Sequence, residues 1–332
     1  MSLLASLLKN DNAPQIGLGC MNLSHGYGQP VAESEGIRAL DAAFDMGYRH
    51  FDTATLYGAT ANEQLVGRAL ADKRHALVLA SKCGMAIDPA QGKKVIDGRP
   101  ATLRRQCEES LRRLQTCHLD LYYLHRWDKS VPIEESVGEL GRLVDEGKIR
   151  AIGLSEVSAG TLKRAHAERP IVAVQSEYSL WTRNPEIAVV KTCRALDVAF
   201  VAFSPLGRGF LSGAVKREDA LEESDMRRHL PRFQGENLEH NLRRLDTFSA
   251  LAQQWEISIS QLALAWLTSQ GDDIFPIPGS RSIAHMRENL GASTLKLGPD
   301  TVRKLNTLFS PEKIAGERYT AEQLAEVDTE QF

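Results

Sequence analysis

The chain is expected to fold as an α/β protein of the (β/α)8, or TIM, barrel type. Three observations carry that expectation: β-rich runs alternate with helical segments, eight such pairs can be counted, and the runs are almost continuously apolar. Strand–helix alternation implies parallel strands joined by right-handed crossovers, and eight such units close into a barrel. Strands that are apolar on both faces suit a sheet with helices outside and a packed interior. A length of 332 residues accommodates one barrel of roughly 250 residues together with additions to it.

In order, IGLGC at 16–20 precedes helical apolar spacing over 34–46, and YRHFD at 48–52 precedes 62–74. ALVLASK at 76–82 leads to 101–115 behind Pro100, and LDLYYLH at 119–125 leads to 133–146, between Pro132 and Gly147. Proline fits a first helical turn, where its missing N–H costs nothing, and glycine fits the left-handed residue that ends a helix. IRAIGLS at 149–155 pairs with 158–168, IVAVQS at 171–176 with 185–196 opening on Pro185, VAFVAFS at 198–204 with 238–256, and DIFPIPG at 273–279 with 282–292. An open doubly wound sheet is the rival. It is disfavoured because Gly17-Leu18-Gly19-Cys20-Met21-Asn22 lacks the third glycine of a dinucleotide fingerprint.

One unit is expected over 1–332, with a core from about 15 to 295 and a C-terminal helix and polar tail over 296–332. The Arg- and Gly-rich stretch 205–237 reads as a lid or inserted loop. MSLLASLLKNDNAP lacks a basic lead and reads as a short N-terminal helix or arm rather than a signal peptide. With 40 Lys+Arg against 43 Asp+Glu, no overall field draws the chain to nucleic acid or an anionic membrane, so any phosphate must be held locally. No apolar run is long enough for a membrane span. Cys20, Cys83, Cys107, Cys117 and Cys193 show no metal-binding spacing and suit a reducing, cytoplasmic setting. No metal is expected, and the sequence is silent on oligomeric state.

In such a barrel, chemistry gathers where strands end. Asp52, Lys82 and His125 end the second, third and fourth runs, and Tyr57 lies five residues beyond Asp52 in TATLYG. Singly, Asp52 reads as an ordinary cap, Lys82 as a solvated lysine and Tyr57 as a packed tyrosine. Together they converge on one mouth. A phenol has a pKa near 10, and an ammonium beside it lowers that value while a carboxylate keeps the ammonium charged and oriented. Asp52, Lys82 and Tyr57 then form a tuned general acid, and His125 donates to a carbonyl oxygen.

YRHFDTATLYG, LASKCG and DLYYLHRWD resemble the signatures of the aldo-keto reductases, over about residues 15–295 and with all four groups in order. The resemblance implies a small-molecule carbonyl partner and NADPH/NADP+ as cofactor, with Tyr57 as proton donor, Asp52 and Lys82 tuning it, and His125 orienting the carbonyl. GLSEVSAGTLKRAH and VQSEYSLWTRNPE are similar to the aldehyde-reducing, auxin-induced-like branch. One alternative within this resemblance is a cofactor-binding regulatory partner of a membrane channel, like the potassium-channel β-subunits. Outside the resemblance, a Schiff-base aldolase on the same barrel using Lys82 is a further rival, and the charge-holding Asp52 argues against it.

Barrels of this type bind phosphate on the loops after strands 7 and 8. SPLGRGFLSG offers Gly207 and Gly209 for close approach and Arg208 as a charge partner. PGSRSIAHMREN offers Ser282 as a helix cap, with Arg281 and Arg287 for a 2′-phosphate. The resemblance implies Ser155 and Gln175 on the nicotinamide carboxamide, Phe203 stacked on the ring, Ser204, Leu206 and Gly209 along the pyrophosphate, and Ser280, Arg281, Glu288 and Asn289 at the adenosine end. It places Gly19, Met21 and Gly279 in the same cofactor set. Glu156 stands where many members have Asn, and His285 where several have Arg. Trp127, Tyr178 and Trp181 read either as an apolar wall for an aromatic aldehyde or as anchors of the rim.

Overall fold

The computed structural model describes residues 13–24, 26–88, 90, 92–216 and 221–332. The arm expected at the N-terminus therefore lies, up to residue 12, outside the described residues. Eight parallel strands form the barrel: β1 (Leu18–Gly19), β2 (His50–Asp52), β3 (Val78–Cys83), β4 (Leu121–Leu124), β5 (Ile152–Ser155), β6 (Ile171–Glu177), β7 (Ala199–Phe203) and β8 (Ile274–Pro276). Each pairs with the next in chain order. The ring closes where the Gly17 N–H donates to the Pro276 carbonyl at 2.9 Å and Gly19 bridges Gly279 in parallel. A Cβ on Gly19 would meet the Ile277 carbonyl at 2.8 Å, so the seam needs glycine there.

Inside the ring, Val78, Ala80, Leu121, Tyr123, Ala173, Val201 and Phe275 belong to one buried cluster, and the larger core lies between strands and helices. Tyr123 packs against Gly153 of β5, where a Cβ would sit 2.3 Å from the Tyr123 ring. Gly153→Ala is expected to cost about 1–3 kcal/mol, the usual cost of overpacking. Denaturant unfolding checks this, and an unchanged midpoint would show that the ring can give way.

Among the described residues the helices are α1 (Glu33–Met46), α2 (Ala61–Leu70), α3 (Pro100–Arg113), α4 (Ile133–Asp145), α5 (Ala159–Glu168), α6 (Val189–Ala195), α7 (Gly235–Gln254), α8 (Ile259–Thr268), α9 (Ile283–Gly291), α10 (Pro299–Leu308) and α11 (Ala321–Ala325). The sequence pattern differs from the structure at one helix. It assigns the helix between β7 and β8 to 238–256, yet the helix that packs on β8 and α9 is α8, with α7 outside it. ISQLALAWLT in α8 is buried on nearly every side, so it carries no amphipathic stripe to be read. Its capping box, Ser258 with Gln261, is the local signal that marks it.

A hairpin, Met85–Ile87 with Lys94–Ile96, follows β3 at the mouth. The stretch after β7 is built of short 3-10 turns, and Met226 N–H donates across to the Gly26 carbonyl of the loop after β1 at 3.1 Å. Residues 217–220 lie outside the described residues. After α10 the chain returns over the mouth. No helix among the described residues is long and apolar enough to cross a membrane, and all five cysteines are free thiols.

Candidate active site

Parallel pairing puts every strand's C-terminal end on one rim, so Asp52 at the end of β2, Lys82 near the end of β3 and His125 just past β4 become neighbours. Lys82 is 1% exposed and Asp52 2%. The Lys82 ammonium donates to Asp52 Oδ1, to the Thr53 carbonyl at 2.8 Å and to the Tyr57 hydroxyl at 3.2 Å. Gln175 Nε2 holds the other Asp52 oxygen at 2.8 Å. The rings of Tyr57 and His125 meet edge to face, 5.8 Å apart. Buried charge is tolerated here because each group is paired and hydrogen-bonded.

The turn that carries Tyr57 is fastened by Asn62, a residue the sequence reading did not single out. Its amide donates to the Cys20 carbonyl and to Ser24 Oγ, each at 2.9 Å, while its oxygen accepts from Thr53 Oγ1 at 2.6 Å. A fully buried Asn on α2 must have such partners. Without a buried face to read it against, Asn62 looks like any polar helix residue.

The electrostatics correct one expectation. Burial raises the Tyr57 phenol above its ordinary value, and Asp52 adds to this, outweighing the pull of Lys82. Burial also opposes the charge on Lys82, but Asp52 and Tyr57 outweigh it and the ammonium is held. The Lys82 ammonium still favours the phenolate, but burial decides the direction of the shift.

From this cluster a cleft of about 1260 Å³ runs across the mouth. Asp52, Tyr57 and His125 line it, as do Gly19, Met21, Ser155, Gln175, Phe203, Ser204, Leu206, Arg208, Gly209, Gly279, Ser280, Arg281, Glu288 and Asn289. Arg287 does not line it and is exposed, on another side of α9 from Glu288 and Asn289. After β7, left-handed backbone at Ser204, Gly207, Arg208 and Gly209 winds the loop tightly. Arg208 is buried and pairs with Glu177 at 2.6 Å, and its second terminal nitrogen has no hydrogen-bond partner among the described residues. Beyond β8, Ser282 caps α9 by accepting from the His285 N–H. An orphaned guanidinium nitrogen and a helix N-terminus on the same cleft suit an anion such as a dinucleotide phosphate.

Glu156 does not face the cleft. Its carboxylate accepts from the Glu177 N–H at 2.9 Å and pairs with Arg318 at 2.7 Å. The three aromatic residues expected at the substrate wall also lie elsewhere. Tyr178 is buried against Phe200 and Trp266 and donates to Glu186, Trp181 stacks on Phe210 with centroids 4.0 Å apart, and Trp127 donates to the Val131 carbonyl. These are anchors. Leu56, Met85, Tyr27, Arg126 and Tyr319 line the cleft instead. Tyr319 belongs to the tail, some 190 residues from His125 in the chain, so no local pattern announces it. Among the described residues, no group of His, Cys, Asp or Glu is placed to hold a metal.

Residues 15–309 match the model of the Aldo/keto reductase family. The chain is 45% identical over 306 residues to a probable aldo-keto reductase 1 from Glycine max, covering 92% of this chain and 88% of the other. Among solved structures it resembles a glycerol dehydrogenase from Gluconobacter oxydans, with a TM-score of 0.82, 30% identity, and coverage of 89% of this chain and 91% of that one. It also resembles an aldo/keto reductase from Klebsiella pneumoniae solved with NADP and acetate, with a TM-score of 0.71, 28% identity, and coverage of 92% and 95%.

Proposed function

This chain belongs to the aldo/keto reductase family, and from that premise we propose that it reduces aldehydes and ketones to alcohols with NADPH, using Tyr57 as proton donor. The observation that carries this reading is the bonded chain Asp52–Lys82–Tyr57 beside His125 on the wall of the cleft. The bound reduced nicotinamide supplies a hydride to the carbonyl carbon. Ser155, Gln175 and Phe203 line the cleft and would hold its carboxamide and ring, and Arg208, Ser204 and Gly209, also on the cleft, would take its phosphates. His125 orients the carbonyl by donating to its oxygen. As negative charge grows there, Tyr57 gives up its proton, and the neighbouring Lys82 ammonium stabilises the phenolate that remains.

The apolar part of the lining, with Leu56, Met85, Phe203 and Tyr319, favours aldehydes with an apolar or aromatic body. The free thiols suit a cytoplasmic enzyme. A panel of aldehydes and ketones, including 4-nitrobenzaldehyde, assayed by loss of NADPH absorbance with NADH in parallel, tests the reading. Multiple turnovers are expected; a single turnover at most would favour a regulatory cofactor-binding role.

Arg281, exposed on the cleft and donating to the Gln29 carbonyl at 3.0 Å, is assigned to the 2′-phosphate. Arg281→Ala is expected to weaken NADPH by about 1.5–3 kcal/mol, the usual worth of a charged hydrogen bond, and to leave NADH nearly unchanged. Dissociation constants from fluorescence titration decide this, and equal losses for both would rule out the contact.

A further inference from the structure

The segment after α10 lies across one side of the mouth. Lys94 of the hairpin after β3 pairs with Glu326, Lys129 beyond β4 donates to the carbonyls of Ala325 and Val327, and Ser158 beyond β5 donates to Asp328. The strap thus crosses the loops after β3, β4 and β5, and at its start it also meets the stretch after β7, where Arg232 donates to the Gly316 carbonyl at 3.0 Å and the Arg208 guanidinium lies over the Tyr319 ring. Tyr319, Gln323 and Glu326 of this strap line the cleft. Most of its ties are exposed or half-buried and exchange readily with water.

One tie differs. Arg318 pairs with Glu156 at 2.7 Å, with side-chain exposures of 2% and 0%, and lies 3.5 Å from Glu177. Its other terminal nitrogen donates to Thr329 Oγ1 at 2.6 Å, and the Asp328 N–H donates to the Glu156 carbonyl at 3.0 Å. We propose that Arg318, through its buried pair with Glu156, is a positioning residue that seats the strap and so builds the substrate-side wall of Tyr319, Gln323 and Glu326. Glu156 sits at the very end of the barrel, just past β5, with left-handed backbone at φ 56°, which fixes where its carboxylate meets the strap. Removing Arg318 leaves that carboxylate buried and short of a partner. Burying an unpaired charge costs more than lifting a surface segment, so the strap opens and water solvates Glu156 while the barrel stays folded.

The substrate role rests on the reductase reading, so the test has two arms. Hydrogen–deuterium exchange of the full chain reads the strap directly. In Arg318→Met, exchange across 314–331 is expected to rise about tenfold or more, with β5 and β6 unchanged. Glu156→Gln should move the same amides in the same direction, Arg318→Lys should restore part of the protection, and the double variant Glu156→Gln/Arg318→Met should be no worse than Arg318→Met alone. In the kinetic arm, the KM of Arg318→Met for 4-nitrobenzaldehyde is expected to rise about tenfold, while kcat for acetaldehyde stays within about threefold of wild type. Unchanged strap exchange, an equal rise in β5 and β6, or a freed strap with unchanged KM each overturns the proposal. Absence of turnover by the wild-type protein overturns the reductase reading and the wall's role toward a carbonyl, while exchange still decides whether the pair seats the strap.

Discussion

Tyr57→Phe is expected to cut carbonyl reduction by about 10²–10⁴-fold, the usual contribution of a positioned general acid, while NADPH affinity stays near wild type. The hydroxyl is needed where charge develops on the substrate oxygen, and the ring, packed edge-on to His125, is kept in the variant. The form that works in reduction is the protonated phenol, so activity is present below the Tyr57 pKa and lost as pH rises through it. Burial places that pKa above the ordinary value. Reduction should therefore run flat through neutrality and fall only beyond the usual tyrosine range near pH 10. Steady-state kinetics against pH check both points. Near-normal turnover by the phenylalanine variant would falsify the assignment.

Lys82→Met is expected to lower both stability and turnover. Asp52 would keep a buried negative charge with Gln175 as its remaining side-chain partner, and breaking such a pair from one side costs about 3–5 kcal/mol. The matched variant Asp52→Leu/Lys82→Met removes both charges. It should recover most of that stability, since apolar replacement of a buried pair is often neutral, yet stay inactive. Denaturant unfolding and NADPH consumption, measured on both variants, separate the two effects. If the double variant regained activity along with stability, Lys82 would be a structural residue alone.

The legibility of the chain follows from where each signal resides. That Asp52, Lys82 and His125 meet at one rim is legible because each interrupts an apolar run at a strand end, and such an interruption is local. The tight turn after β7 and the Ser282 cap after β8 are legible for the same reason, since glycines and a serine cap are local signals as well. Arg287 shows the limit, because an arginine within a helix looks the same in sequence whether or not its side borders the cleft, and only the fold separates it from Arg281 in the loop ahead of that helix. Trp127, Tyr178 and Trp181 show it again. An aromatic beside a strand end has the same appearance whether it faces a cleft or locks a turn, and packing alone separates the cases. Helix α8 escaped notice for the opposite reason, being buried on so many sides that no polar face betrayed its period.

The amino-acid sequence alone determined the barrel, its eight strands and the residues gathered at its rim, because periodicity and strand ends are properties of neighbours in the chain. Tertiary structure alone decided the direction of the Tyr57 shift, the partner of Glu156 and the tail's place in the cleft wall. Those depend on burial and on residues brought together from distant parts of the chain. Glu156 and Arg318 are 162 positions apart in sequence and 2.7 Å apart in space. No window along the chain contains that distance, and the desolvation that makes the pair matter exists only once the strap has closed over it.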